Sequence, residues 1–126
     1  MPSLFANIKQ DFCGALLEFV GTFTFLTLAF GGVQASTSAG SVGQPAPNML
    51  NVLIASMSFG FSLLISAWLF YRVTGGLFNP NVTLALFFVG CIGPVRFVLF
   101  CIAQLGGAIA AAAVILALSP GPCSFK

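Results

Sequence analysis

Only six residues of this chain carry a charge, and their spacing leaves three apolar runs long enough to cross a lipid bilayer. Lys9, Asp11, Glu18, Arg72, Arg96 and Lys126 are the full set, and there is no histidine. Phe12 to Val33 is interrupted only by Glu18, Leu50 to Tyr71 holds no charge, and Val95 to Leu118 has Arg96 at its start. A helix rises about 1.5 Å per residue, so about 20 residues cover the roughly 30 Å of hydrocarbon. With 5% charged and 59% hydrophobic residues, against roughly 25% charged in a soluble domain, the chain cannot cover a water-facing surface. The sequence predicts an all-α membrane protein with three transmembrane helices, at about 12–33, 50–71 and 95–118.

The same scarcity excludes several functions. A net charge of +2 spread over 126 residues forms no basic patch, so no nucleic-acid partner is expected. Hydrolytic triads and common zinc sites lack their usual imidazole. Cys13, Cys91, Cys101 and Cys123 stand far apart without a CxxC pair, so neither a metal site nor a disulfide framework is read from them. No catalytic constellation emerges, no cofactor is implied, and the chain is not read as an enzyme. A cleavable signal peptide is the rival for the first run, but its apolar stretch is normally about 7–15 residues and excludes an acid such as Glu18.

Between the first two runs, Gln34 to Asn48 is uncharged and rich in Ser, Gly, Ala and Pro, and reads as an exposed loop. Ser119 to Lys126, with Pro120 and Pro122, cannot continue a helix and reads as the start of another. Three passes place Lys9, Arg72 and Arg96 on one side and Lys126 on the other. The positive-inside rule then predicts a cytoplasmic N-terminus.

One segment does not fit a plain three-helix protein. Residues 73–90 are too apolar for a simple loop and too short to cross and return as two helices. Asn79 suits a helix N-cap and Pro80 the first helical position, which predicts a short helix over Pro80 to Val89, about half a bilayer long. Two readings remain open from the residues alone. The segment either dips into the membrane and returns, its Thr74 to Phe78 arm exposing carbonyls to a wet or packed interior, or lies as a helix on the cytoplasmic face. The lack of Lys or Arg over residues 73–95 argues against the surface helix. In the dipping arrangement the helix N-terminus offers N–H donors and a partial positive end at the membrane centre, which repels cations and suits small polar solutes.

These residues resemble the major intrinsic protein (aquaporin) family. Thr74-Gly-Gly-Leu-Phe-Asn-Pro-Asn-Val-Thr-Leu-Ala85 is similar to the family's first signature loop, SGxHxNPAVTLA. Glu18-Phe-Val-Gly-Thr-Phe23 resembles its ExxGT element, and Gln104 followed by Gly106 and Gly107 its AQxxGA pattern. The three occur in the family's order, with the flavour of fungal orthodox aquaporins. The resemblance implies one aquaporin-like repeat over residues 1–126, with three spans plus a re-entrant half-helix within about 73–90. It implies a pore motif of Asn79, Pro80 and Asn81, and an acceptor ladder from the carbonyls of Gly75, Gly76, Leu77 and Phe78. Phe59 would wall the outer constriction, although by spacing alone it is one of 15 phenylalanines filling a core or lipid-facing position. Glu18 would face the interior and hold re-entrant amides, or simply tie helices together. Gln104 is the second intramembrane structural residue. Ser56/Gly60 and Ala103/Gly107/Ala111 have small-xxx-small spacing for close helix packing. Asn81-Val82-Thr83 is formally a glycosylation sequon that membrane burial would leave unused.

The chain departs from the family pattern at Asn81, where alanine is usual, and at Leu77, where histidine is frequent. It also carries one repeat where aquaporins have two inverted ones, so the expectation is a half-length or truncated form of a longer channel. The implied function is passive passage of water, glycerol or other small neutral solutes. The alternative is a non-conducting assembly or regulatory subunit that packs with full-length channels. The expected partners are water or small neutral solutes, membrane lipids, and further copies of the chain or a full-length aquaporin. The expected location is the plasma or vacuolar membrane, as an integral multi-pass protein.

Overall fold

The computed structural model describes residues 8–40 and 49–119. Four helices follow in order: α1 (Ile8–Gly40), α2 (Met49–Thr74), α3 (Pro80–Phe88) and α4 (Pro94–Leu118). Helices α1, α2 and α4 are long and apolar enough to span a membrane. With nine residues, α3 covers about 13 Å, less than half of the hydrocarbon.

Helix α1 runs through Gln34 to Gly40, where composition predicted the start of a loop. The hydroxyls of Ser36 and Thr37 explain the difference, donating back to the carbonyls of Val33 at 2.8 Å and Gln34 at 3.0 Å. Serine and threonine in that geometry are compatible with helix, although the same side chains mark turns elsewhere. The remainder of the expected loop, residues 41–48, and the tail from Pro120 onward lie outside the described residues.

Helices α1 and α4 run parallel. Asp11 meets Arg96 at 4.0 Å near their N-terminal ends, while a methyl at Gly31 would touch Ile115 at 3.6 Å near the other. Helix α2 runs antiparallel to α1, with Ser58 filling the notch at Gly32 and the residues after α2 reaching Glu18. Lys9, Arg72 and Arg96 therefore share one end of the bundle. Helix α3 packs on α4 in the opposite sense: Thr83 meets Gln104 at 3.0 Å and the rings of Phe87 and Phe97 stack at 4.9 Å. Its N-terminus is thus deep in the bundle and its C-terminus is level with the start of α4.

The interior inverts the pattern of a soluble protein. The largest fully buried side chains are Phe100, Gln104, Glu18, Thr22, Thr83 and Ser66, five of the six polar, whereas Trp68, Leu69, Phe12 and Ile109 lie outside. Lipid tails are as apolar as leucine, so burying apolar surface gains little, and close packing with interhelical hydrogen bonds holds such a bundle. Gly107 shows the packing requirement: a Cβ there would lie 2.7 Å from the Phe19 carbonyl oxygen and 3.2 Å from the Phe23 nitrogen. Ser56/Gly60 makes no such approach, and Gly60 faces open space.

Candidate functional site

The site is built where the chain leaves α2. Gly75 and Gly76 have φ of +93° and +62°, and Phe78 follows at +46°. The glycines accept this left-handed backbone without a Cβ penalty, whereas Phe78 requires outside support. Its ring supplies that support: only 4% exposed, it packs edge-on against Phe70 at 5.8 Å and against the bare backbone of Gly21. A methyl at Gly21 would be driven into the Phe78 ring, which gives the glycine of the Glu18-Phe-Val-Gly21 element its physical reason.

Glu18 is fully buried, and its carboxylate receives the arm. The Phe78 amide donates to Oε2 at 2.8 Å and the Leu77 amide to Oε1 at 3.3 Å. A trans peptide points its N–H and C=O in opposite directions. Turning these two amides toward α1 therefore turns the carbonyls of Gly76 and Leu77 away from it. The Gly76 amide is also taken, by the Thr74 hydroxyl at 3.2 Å, which sends the Gly75 carbonyl away from that hydroxyl.

Asn79 begins α3 as its N-cap, with Oδ1 accepting from the Asn81 amide at 2.9 Å. Pro80 occupies the first turn, where a missing N–H costs nothing. The Asn79 carbonyl accepts twice from Thr83, from its amide and from its hydroxyl, each at 3.0 Å. Gln104 joins the parts: Nε2 donates to Glu18 Oε2 at 3.0 Å and lies 3.0 Å from the Thr83 hydroxyl.

The structure thus brings Glu18, Gln104, the Gly75–Phe78 arm and the Asn79 cap into one network. Asn81 contributes its backbone amide to the cap, and its side chain is exposed. Phe59 stands apart, packed edge-on against Phe25 at 6.2 Å and Phe30 at 6.1 Å, roughly 10 Å or more further along α1 than Glu18. Thr83 was missed as a site residue. Its signal was present: it is the one hydroxyl in α3, and leaving a hydroxyl without a partner at membrane depth is costly. Among the described residues no cluster of His, Cys, Asp or Glu forms a metal site.

Comparison with known proteins decides the lineage. A family model described as major intrinsic protein matches residues 7–124. The chain belongs to the major intrinsic protein family. It is 54% identical to Aquaporin-1 of Laccaria bicolor, over 98% of this chain and 40% of that protein. It is 46% identical to Aquaporin-2 of Botryotinia fuckeliana, over 91% of this chain and 31% of the relative. Aquaporin-1 of Gibberella zeae is 42% identical, over 82% of this chain and 33% of its own length. The chain therefore spans less than half the length of these relatives. Family and helices together make it an integral, multi-pass membrane protein.

Proposed function

We propose that this chain forms one half of a passive channel for water, with glycerol and other small neutral solutes as further candidates. Its relatives are named aquaporins, and the family is one of channels rather than enzymes. The observation that carries the reading is Glu18 taking the amides of Leu77 and Phe78. Those two bonds turn neighbouring carbonyls outward as acceptors at the depth where α3 starts. Asn79, its Oδ1 held by the cap, has the Nδ2 protons left to donate. A path lined by acceptors and then donors, closed by the partial positive end of α3, passes neutral hydrogen-bonding solutes and opposes cations. A second half-helix, from further chain or another copy, completes the wall in this reading.

In the same reading Phe59 narrows the path at another depth, and Asn81 adds a polar side chain at the tip of α3. The cations shared by one end of the bundle favour a cytoplasmic N-terminus, in the plasma or vacuolar membrane. The exposed Ser56/Gly60 notch supports a second reading, a non-conducting subunit that packs with full-length channels.

The test is osmotic shrinkage of liposomes holding the purified chain, followed by stopped-flow light scattering. Water permeability above empty liposomes, reduced by Asn79→Asp, supports a conducting assembly. Inserted protein without excess permeability that co-migrates with an added full-length aquaporin on detergent gels supports the subunit reading.

A further inference from the structure

We propose that Thr83 positions Asn79 for the passing solute, through a hydrogen-bonded ring that the Thr83 hydroxyl closes; this rests on the channel reading above. Thr83 is fully buried. Its Oγ1 lies 3.0 Å from the Asn79 carbonyl oxygen, 3.0 Å from Gln104 Nε2 and 3.2 Å from Gln104 Oε1. A threonine hydroxyl has one proton and two lone pairs, and a glutamine amide nitrogen has two protons. Glu18 Oε2 takes one proton of Gln104 Nε2. The arrangement that satisfies every group gives the other Nε2 proton to Thr83 Oγ1, whose own proton then goes to the Asn79 carbonyl.

The bonds close on themselves. Glu18 holds the Leu77 and Phe78 amides, the backbone continues to Asn79, Asn79 accepts from Thr83, and Gln104 returns the chain of bonds to Glu18. Asn79 sits inside this ring, fixed from the residue before it and from its own carbonyl. The ordinary helical bond from the Thr83 amide to Asn79 exists wherever α3 is helical and does not locate α3 in the bundle. The hydroxyl does, because it ties the first turn of α3 to α4 and, through Gln104, to α1. The Phe87–Phe97 stack anchors α3 on α4 at its far end, a full helix length from the tip. With two donors on it, the Asn79 carbonyl is also withdrawn from the solute, so the series of backbone acceptors ends at Phe78. A buried side chain that holds a ligand-facing group in place governs its geometry without touching the solute. Thr83 is a positioning residue in this sense.

The experiment compares Thr83→Val, which keeps the β-branched shape and removes the hydroxyl, with Thr83→Ser, which keeps the hydroxyl. Amide exchange is read by NMR on the whole chain in lipid nanodiscs, together with the side-chain amide signal of Asn79. Thr83→Val is expected to speed exchange at Leu77, Phe78 and Asn81 roughly tenfold, the effect of one buried hydrogen bond. It should also shift the Asn79 side-chain signal while the Gly32–Ser58 region stays unchanged, and Thr83→Ser should restore both. In liposomes that conduct, water permeability should fall with valine and return with serine. Exchange and an Asn79 signal unchanged by valine, or not restored by serine, would overturn the proposal. A parent chain that conducts no water overturns a pore built from copies of this chain alone, while the exchange data still decide the ring.

Discussion

Glu18 of α1 and Gln104 of α4 meet at 3.0 Å between Oε2 and Nε2, in an interior where neither reaches solvent. That contact joins the two parallel helices and also holds the arm that leads into α3. The carboxylate accepts from Gln104, Leu77 and Phe78, three donors converging on two oxygens. A buried acid in a membrane helix is costly unless such partners surround it.

Glu18→Gln should therefore destabilise the chain despite its near-identical shape. An amide offers one acceptor oxygen and presents donors where the carboxylate had its second, so at least one of the three incoming N–H groups faces another N–H. The expected loss is about 1.5–3 kcal/mol, the worth of a hydrogen bond to a charged group. Unfolding of the purified chain in mixed micelles, followed by circular dichroism, checks it. Stability equal to the parent would show that the arm is held by other contacts.

Gly21 and Phe78 should behave as a coupled pair. Gly21→Ala places a methyl against the Phe78 ring, and overpacking of this kind costs about 1–3 kcal/mol. Phe78→Leu removes the ring edge that the methyl meets. The double variant should then lose less than the sum of the two singles, a positive coupling in a double-mutant cycle. Strict additivity would place the ring elsewhere.

Charge spacing made the three spans and the half-helix readable, because six charged residues leave few places for helices to end. Asn79 and Pro80 marked the start of α3 for equally local reasons. The end of α1 was less readable: Ser36 and Thr37 belong to a turn-like composition, and only their back-bonding to Val33 and Gln34 shows them to be helical. Long-range pairing was the least readable. Nothing local to Gly21 announces that a ring from residue 78 will lie against it, and the Thr83 hydroxyl, alone in α3, does not name Gln104 of α4 as its partner. Gln104 was singled out by its likeness to the AQxxGA pattern, yet its partners come from two other helices.

Two glycines on different helices should separate packing from propensity. Gly107→Ala pushes a Cβ toward the backbone of Phe19 and Phe23, atoms that cannot move aside as a side-chain tip can. Widening of the α1–α4 crossing and a loss of about 1–3 kcal/mol are expected. Gly60→Ala meets open space and should leave the isolated chain as stable as the parent or up to about 1 kcal/mol more so, the helix preference of alanine over glycine. Thermal unfolding in detergent reads both, and equal losses at the two sites would contradict the close approach at Gly107.

Re-entry of the α3 segment predicts which face of the membrane its ends reach. Cys91 lies exposed in the turn between α3 and α4, level with the N-terminal end of α1. With Cys13, Cys101 and Cys123 replaced by serine, a membrane-impermeant maleimide should label Cys91 from the same face as a Lys9→Cys reporter. Met49, 85% exposed at the start of α2, stands at the opposite end. Met49→Cys, made with Cys91→Ser, should label from the other face alone. Both reactions are read as mass shifts in sealed vesicles of known sidedness. Labelling of Cys91 from the Met49 face would mean that residues 75–93 cross the bilayer, which nine helical residues and a four-residue arm are too short to do as a helix.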